Sequence, residues 1–545
     1  MAESVVYDKV VVIGLDGADW RLLRPWLANG RLPTLAQLIS EGTSGPLRST
    51  IRPESSSAWA SFATGVNPGQ HGVYSFVERS GGYSYKLANG HSIQTRRFWD
   101  WLGEAGLRVG LQNIPFTYPP RPVNGCLVGG MLTPDANSDF TYPPELKKEL
   151  LARFPDYRVD AADTNDKAAL IANVTAFTQQ QRDVALMLLR EQPWDFFAVV
   201  FTGPDRMQHF LWADIDERHP LHDPASAHRF GPSLLAHYEA LDAAIADIRQ
   251  QLPDNTLLLI MSDHGFNGCG RRFYVNRWLK QQGFLAVLDR GWREQAGKWL
   301  THLGSIGWLR RLKRVVLSSD VSSVTVRSLL LNQAVNWSDT QAVFGMDGGI
   351  RLNITGREPS GSVPPHQTEL LLTQLAAELL AVQDPETGLC PLAEVLGRDG
   401  LYNGRFTHQS PDLILEPQRH HDHPGHNYIL DGALDDGPLF SSSEPYSGNH
   451  ALDGILITHG PGIKPASQIE NAIIWDIAPT ILAAMGQPIP DYMDGQLLSG
   501  LFEPDSLPAI KIVAGAQATT AAPEPTPSQD DKTVEARLRN LGYLD

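Results

Sequence analysis

The sequence has few cysteines and no long uncharged apolar run. Its three cysteines, Cys126, Cys269 and Cys390, are far apart and never spaced as Cys-x-x-Cys. We expect them to be reduced or inert, as in a protein from a reducing compartment. No uncharged apolar stretch reaches about 18 residues, the length that a membrane-spanning helix needs. Because the first residues also lack the basic and apolar regions of a signal peptide, we expect a cytoplasmic protein without a membrane span.

Basic residues are also scarce relative to acidic ones. The chain has 45 Lys and Arg residues against 61 Asp and Glu residues, for a formal net charge of −16. This balance argues against an extended basic face for a nucleic-acid polymer, because such binding needs clustered Lys and Arg. Small phosphate substrates remain possible, because bound metal ions can reverse the local field. The 42% of hydrophobic residues is enough for a large buried core.

Short apolar runs alternate with helical patterns along the chain. The apolar runs, which are typical of buried strands, are residues 9–14, 196–201, 257–261, 413–415 and 455–458. Apolar residues recur at helical spacing over residues 166–191 and 368–382. This alternation predicts an α/β fold with a mostly parallel central sheet and helices on both faces.

The chain divides by composition into a large domain and a short tail. Residues 1–512 are predicted to form one α/β catalytic domain. A helical insertion at about 270–345 would be either a surface helical pair or a cap over the substrate pocket. Residues 513–532, rich in Ala, Thr, Pro and acidic residues, predict a flexible linker. Residues 533–545 predict an amphipathic tail that docks back or binds a partner.

Acidic and histidine residues follow three of the predicted strands. Asp16 follows the first strand, Asp205 and His209 follow the strand at 196–201, and Asp263 and His264 follow the strand at 257–261. Ligand sites in open α/β sheets form beyond the carboxyl ends of the strands. The spacing of Asp205 and His209 places both on one face of a helix, where they can bind one ion. Asp263 and His264 are adjacent, so both can bind only at an irregular turn.

The charges of these carboxylates predict bound cations. Asp16, Asp205 and Asp263 together would bring three negative charges into one site, and like charges raise each other's pKa values. Two divalent ions would balance them. Carboxylate and imidazole ligands favour Zn²⁺, with Mn²⁺ as the alternative.

A serine-rich segment supplies a candidate nucleophile. Ser55, Ser56 and Ser57 lie at the predicted start of a helix that ends at Gly65. A serine there is often only a helix cap, but a helix N-terminus also binds anions. A neighbouring metal ion would lower the pKa of such a hydroxyl and activate it. Chemistry alone does not choose among the three serines.

The order of motifs resembles the alkaline phosphatase superfamily, and in particular its type I phosphodiesterase/nucleotide pyrophosphatase branch. The motifs that carry the resemblance are VVIGLDG, ATGVNPGQHG, PDRMQH, SDHGF and SGNHALDGILITHGPGI. The resemblance implies an alkaline phosphatase-like fold and a metal-dependent hydrolase of phosphate esters. The expected partner is a small phosphate-ester substrate. In the ATGVNPGQHG motif, His71 is expected to support the site rather than to react.

The resemblance also assigns roles to residues. It implies that Asp205, His209 and His450 hold one metal. It implies that Asp16, Asp263 and His264 hold the other, together with the oxygen of Ser55. His450 enters only through the resemblance. Counting back from Thr64 and Gly65 places the family nucleophile at Ser55.

Two departures from the family pattern leave the substrate class open. Ala58 stands where nucleotide pyrophosphatases have an Asn that binds a phosphoryl oxygen, and Ser56 stands where alkaline phosphatases have an Arg. A phosphomonoesterase, a phosphonate hydrolase or a phosphomutase of the same superfamily therefore remain alternatives. A further alternative is a non-catalytic metal-binding protein that interacts through its C-terminal tail.

Overall fold

The computed structural model describes residues 6–162, 164, 166–288, 323–420, 422–508, 510–515 and 530–540. The strands within these residues are β1 (Lys9–Leu15), β2 (Thr43–Arg48), β3 (Val77–Gly81), β4 (Ser84–Leu87), β5 (Val109–Gln112), β6 (Gly125–Val128), β7 (Thr141–Tyr142), β8 (Phe196–Phe201), β9 (Thr256–Met261), β10 (Gly265–Gly268), β11 (Arg271–Tyr274), β12 (Ala342–Phe344), β13 (Gly349–Leu352), β14 (Leu392–Gly397), β15 (Leu413–Pro417), β16 (Tyr428–Asp431), β17 (Phe440–Ser442), β18 (Gly448–Ala451), β19 (Asp453–His459), β20 (Ser467–Gln468), β21 (Ala472–Ile473), β22 (Ile489–Pro490) and β23 (Ile512–Val513).

The α-helices within the described residues are α1 (Trp20–Ala28), α2 (Pro33–Glu41), α3 (Ser55–Thr64), α4 (Pro68–His71), α5 (Phe98–Glu104), α6 (Glu145–Arg153), α7 (Lys167–Glu191), α8 (Gly203–Ile215), α9 (Pro224–Arg249), α10 (Val275–Gln281), α11 (Ser323–Ala334), α12 (Thr368–Leu380), α13 (Arg398–Leu401), α14 (Ile477–Ala484) and α15 (Asp530–Asn540). None of them is both long enough and apolar enough to cross a membrane.

A ten-stranded mixed sheet forms the centre of the fold. Its strand order is β20-β2-β19-β9-β1-β8-β5-β6-β7, and β21 also pairs with β2. Strand β1 pairs in parallel with both β8 and β9, so the three strands end at the same edge. The residues of β8 and β9 are buried throughout, which explains why their sequences are continuous apolar runs rather than alternating ones. The predicted α/β class and mostly parallel sheet are confirmed.

Both faces of the sheet are covered by helices. Successive side chains of a strand point to opposite faces, so Val11 and Ile13 of β1 join one hydrophobic cluster while Val10 and Val12 join another. The first cluster packs against α7 and α9, and the second packs against α3 and α14. Helix α3, which begins at Ser55, therefore packs against the same strands β1, β8 and β9 as α14 does.

Two predicted strands differ from the expectation of a parallel arrangement. The run at residues 413–415 lies in β15, which belongs to a separate antiparallel sheet of order β12-β13-β15-β14. The run at 455–458 lies in β19, which joins the main sheet but runs antiparallel to β2 and β9. A short apolar run indicates burial but carries no information about the direction of the neighbouring strand.

The predicted insertion and tail are partly described. The insertion begins with strand β11 and helix α10 and ends with helix α11 and strand β12, so it is not purely helical; residues 289–322 lie outside the described residues. For the predicted linker, residues 516–529 lie outside them as well. The tail helix α15 begins at Asp530, earlier than the predicted start of the tail, and packs back onto the domain.

Candidate metal centre and nucleophile

Three carboxylates meet at the edge of the sheet where β1, β8 and β9 end. Asp16 directly follows β1, Asp205 lies in the first turn of α8 after β8, and Asp263 lies in the bend between β9 and β10. All three side chains are fully buried. The parallel pairing of the strands therefore places residues from distant parts of the sequence together, as predicted from the strand pattern.

Two histidines are fixed by backbone carbonyls with one ring nitrogen facing these carboxylates. The Nδ1 of His209 lies 3.1 Å from the Gly448 carbonyl oxygen, and the Nδ1 of His264 lies 2.9 Å from that of Gly265. Because a carbonyl oxygen can only accept, Nδ1 is the donor in both rings. Each Nε2 then faces the carboxylates, and in the neutral ring it would carry the lone pair that a metal ligand requires.

His450 completes the cluster from a distant strand. It lies on β18, opposite Phe266 of β10 in an antiparallel pair. Its Nε2 is 3.1 Å from the Nε2 of His209 and 3.3 Å from Asp205 Oδ1. Its ring also stacks on that of His264 at 4.0 Å between centroids. The local sequence of β18 is short and polar, so no strand pattern would have singled out His450.

Ser55 is the first residue of α3 and faces the same cluster. Its hydroxyl donates to Asp16 Oδ1 at 3.3 Å and lies 3.2 Å from His264 Nε2. The two neighbouring serines have other contacts: Ser57 Oγ is 2.8 Å from Thr50 Oγ1, and Ser56 Oγ donates to Glu54 at 3.4 Å. The geometry therefore distinguishes Ser55 from its rivals.

The donor atoms fall into two overlapping groups. One contains Asp205, His209 and His450, and the other contains Asp16, Asp205 and His264; within each group the ligand atoms lie within 4.8 Å of one another. Asp205 belongs to both. Asp263 stands beside the second group, with Oδ2 3.3 Å from His264 Nε2. Buried carboxylates and imidazoles in this arrangement fit divalent cations.

The electrostatics of the cluster also indicate cations. Burial, and then the charges of Asp263 and Asp205, hold the pKa of Asp16 well above its usual range. Burial and the charge of Asp205 raise the pKa of Asp263 to about 7. Burial alone would raise the pKa of Asp205 too, but His209 and His450 hold it well below its usual range. Without cations, the carboxylates compete with one another for protons, and bound divalent ions would remove this conflict.

The bend that points both Asp263 and His264 toward the cluster depends on the glycine that follows them. A Cβ at Gly265 would lie 2.1 Å from the Asp453 carbonyl oxygen. Glycine is therefore required there by the close approach of a neighbouring backbone. Gly17 has a positive φ, and its amide donates to Asp263 Oδ1 at 3.2 Å.

His71 contacts helix α3. Its Nδ1 accepts from the Val73 amide at 3.1 Å, so its Nε2 is the protonated nitrogen that faces Ser61 Oγ at 3.0 Å. Ser61 lies on α3, the helix that begins at Ser55. Burial lowers the pKa of His71 to about 3, and burial lowers that of His237 to about 4. Both imidazoles are neutral in the folded protein.

These neutral histidines predict a loss of stability in mild acid. The unfolded chain takes up protons below about pH 6.5 while the folded protein does not, so the free energy of unfolding falls as the pH drops, by about 1.4 kcal/mol per pH unit for each group. We expect His71→Gln to make this dependence shallower, as measured by urea unfolding between about pH 7 and about pH 5.5 in chelator. The control is His366→Gln, at an exposed site. Equal slopes in the wild type and His71→Gln would contradict the prediction.

Comparisons with known proteins give one family match over most of the chain. The family model described as type I phosphodiesterase / nucleotide pyrophosphatase matches residues 10–427. That span contains Asp16, Ser55, Asp205 and Asp263 and ends before His450. No curated protein sequence matches the chain significantly.

Two solved structures are similar to this chain at low sequence identity. Phosphonoacetate hydrolase from Sinorhizobium meliloti, in complex with phosphonoacetate, gives a TM-score of 0.51 at 13% identity and covers 89% of this chain and 100% of its own. Human ectonucleotide pyrophosphatase/phosphodiesterase 5 gives a TM-score of 0.49 at 11% identity and covers 90% of this chain and 97% of its own. The first of these likenesses supports the overall fold and nothing finer.

Proposed function

Because this chain belongs to the type I phosphodiesterase/nucleotide pyrophosphatase family and is thus a phosphoric ester hydrolase, we propose that it cleaves phosphodiesters with Ser55 as nucleophile and two divalent metal ions as cofactors. The observation that carries the proposal is the position of the Ser55 hydroxyl. It lies within 3.3 Å of Asp16 and 3.2 Å of His264, at the start of a helix and beside both groups of candidate ligands.

The proposed ligands are those that the resemblance assigns. Asp205, His209 and His450 hold one ion, and Asp16, Asp263 and His264 hold the other together with Ser55. Zinc is the proposed ion and manganese the alternative, because both accept carboxylate and imidazole ligands. The overlap at Asp205 supports a pair of neighbouring ions rather than two separate sites. When bound, such ions supply Lewis-acid stabilisation of the negative charge on the phosphoryl group.

The residues of the chain then account for an in-line displacement. The Ser55 hydroxyl is oriented by its hydrogen bond to Asp16 Oδ1, which directs the proton away from the oxygen lone pair that attacks phosphorus. The bond between Ser55 Oγ and phosphorus forms as the bond from phosphorus to the leaving oxygen breaks; the serine proton passes to Asp16 Oδ1, and the leaving alkoxide takes up a proton from solvent. The amides in the first turn of α3 are positioned to bind phosphoryl oxygens. Water then cleaves the phosphoryl-seryl intermediate and restores Ser55.

A panel of aryl esters tests the substrate class. We expect kcat/KM for bis(para-nitrophenyl) phosphate to exceed that for para-nitrophenyl phosphate by about tenfold or more, because Ser56 replaces the arginine that would bind the additional charge of a monoester; one charge-assisted hydrogen bond is worth about 1.5–3 kcal/mol. The measurement is release of para-nitrophenol by the zinc- and manganese-loaded protein.

The same panel separates the other members of the superfamily. Preferential cleavage of the monoester would favour a phosphomonoesterase, and cleavage of an aryl phosphonate alone would favour a phosphonate hydrolase. Transfer of the phosphoryl group to an added alcohol in place of water would favour a mutase or phosphotransferase. Absence of turnover with every ester would contradict the proposed function.

A further inference from the structure

A cavity of about 550 Å³ opens beside the candidate metal centre. Its wall includes His450 and Glu54, the residue that precedes Ser55. A substrate whose phosphoryl group sits at Ser55 would therefore extend one of its ester groups into this cavity.

Four arginines from four separate segments line the cavity, and we call them the arginine wall. They are Arg52, Arg327, Arg419 and Arg539. They lie in the loop before α3, in α11, after β15 and in α15, respectively.

Fewer acidic residues than arginines line the cavity. Glu54, Glu416 and Asp431 also line the cavity. Asp431 is in addition paired with Arg272, with 2.7 Å between Nη1 and Oδ2. The residues that line the cavity thus include four arginines and three carboxylates, although the whole protein is acidic, with a formal charge of −16. A chain of net negative charge attracts anions poorly in general, so four arginines around one cavity depart from the overall charge of the protein.

Two arginines of the arginine wall, Arg52 and Arg419, are held in place by neighbouring carboxylates and backbone groups. Glu416 pairs with Arg419, whose Nε donates to the carbonyl oxygen of His450 at 3.0 Å. Glu416 also accepts from the Arg52 amide at 3.0 Å. Arg52 pairs with Glu54, and a Cβ at Gly348 would overlap its guanidinium. This packing fixes the direction of the Arg52 and Arg419 guanidinium groups before any ligand binds, which lowers the entropic cost of binding.

Arg539 reaches the cavity because the C-terminal helix α15 docks on the domain. Val534 and Leu538 are buried in a cluster with residues of the catalytic domain. Arg537 donates to the carbonyl oxygens of Met131 at 3.0 Å and Thr133 at 2.8 Å. These contacts anchor the helix.

Both the backbone and the side chain of Arg539 have contacts that fix its position. The Tyr446 hydroxyl donates to the Arg539 carbonyl oxygen at 3.0 Å, and the Arg539 side chain pairs with the buried Glu535 at 2.9 Å. The helix is thus an integral part of the cavity wall, whereas its sequence alone left open whether it docks back or binds a partner.

We propose that the arginine wall binds a second anionic group, a carboxylate or a phosphate, on the ester arm of the substrate, and that the C-terminal helix contributes to substrate specificity through Arg539. The proposal rests on the proposed phosphodiesterase function. Its chemical basis is that the planar guanidinium group matches the geometry of a carboxylate or phosphate with paired hydrogen bonds. The substrate class is therefore phosphodiesters that carry an additional oxyanion.

The first test compares para-nitrophenyl alkyl phosphates whose short alkyl arm ends in a carboxylate, a phosphate or a methyl group. In the wild type, kcat/KM for a charged arm should exceed that for the methyl arm of the same length by about tenfold, the effect of one charge-assisted hydrogen bond. Arg539→Gln, which can still bond to Glu535, should lower this ratio by about fivefold or more. The control Arg31→Gln removes a charge from an exposed pair with Glu239 and should keep the wild-type ratio.

The second test measures binding without turnover. Metal-loaded Ser55→Ala is titrated calorimetrically with carboxyalkyl phosphonates and with alkyl phosphonates of the same length. The charged ligands should bind about tenfold more tightly, and addition of Arg539→Gln or Arg327→Gln should reduce this advantage. Arg327→Gln serves as a second variant on another helix, in case Arg539→Gln disturbs the docking of α15.

The two tests separate the failure of this proposal from the failure of the proposed function. If no diester is cleaved but the charged phosphonates bind preferentially through Arg539 and Arg327, the phosphodiesterase function fails and the anion site stands. If diesters are cleaved with equal kcat/KM for charged and methyl arms, the anion site is refuted. The site is also refuted if Arg31→Gln changes the ratio as much as Arg539→Gln does.

Discussion

Replacement of Ser55 by alanine is expected to lower kcat/KM for phosphodiesters by at least about a thousandfold while the protein retains its metal. The substitution removes the oxygen that lies 3.3 Å from Asp16 Oδ1 and 3.2 Å from His264 Nε2. No other serine of the segment 55–57 has its hydroxyl in that position. The Asp and His side chains that form the candidate ligand groups are unchanged, so metal content by elemental analysis should stay near that of the wild type.

A neighbouring serine provides the matched control. Ser57 is on the same helix and equally buried, but its hydroxyl contacts Thr50 Oγ1 at 2.8 Å. Ser57→Ala should cost about 1 kcal/mol of stability through the lost hydrogen bond and leave kcat/KM close to the wild-type value. If Ser55→Ala retains full activity toward aryl phosphodiesters, or if Ser57→Ala is as inactive as Ser55→Ala, Ser55 is not the nucleophile.

The second large effect is expected from Asp205, which takes part in both ligand groups. Its Oδ1 lies 3.4 Å from His209 Nε2, 3.3 Å from His450 Nε2 and 4.0 Å from His264 Nε2. Asp205→Asn keeps the shape of the side chain but removes the negative charge that lies among the three imidazoles. We therefore expect weaker binding at both sites, a metal content below about one ion per chain, and a decrease in kcat/KM of at least about a hundredfold.

Asp242 is the control for loss of a buried carboxylate. It is buried like Asp205, but it accepts hydrogen bonds from the amides of Thr34 and Leu35 at 3.0 and 2.8 Å, away from the metal centre. Asp242→Asn should reduce stability and leave metal content unchanged. Loss of metal from Asp242→Asn to the same extent would mean that Asp205→Asn acts through general destabilisation.

The parts of the site that follow predicted strands could be read from the sequence. Asp16, Asp205 and Asp263 lie within four residues after the apolar strands, and the parallel pairing of β1 with β8 and β9 brings the carboxyl ends of these strands to one edge. The helical spacing of Asp205 and His209 likewise predicts one common face, and both lie on α8. These inferences rest on local periodicity and on a general property of parallel sheets, so they need no knowledge of side-chain packing.

Other parts depend on contacts between distant segments and could not be read in this way. His450 lies on a short polar strand whose place beside β10 is set by backbone pairing, and only the family resemblance pointed to it. Asp205 belongs to both ligand groups because of where its side chain lies in the folded protein, which the sequence pattern does not show. The docking of α15 depends on carbonyl groups at Met131 and Thr133 that accept from Arg537, and no local pattern encodes such a contact.

The most direct test of the central claim is a titration of chelator-stripped protein with Zn²⁺, followed by hydrolysis of bis(para-nitrophenyl) phosphate. The stripped protein should be inactive, and activity should rise to a plateau at about two equivalents of metal per chain. Full activity of the stripped protein, or no activity at any level of Zn²⁺ or Mn²⁺, would contradict a two-metal phosphodiesterase centre at these residues.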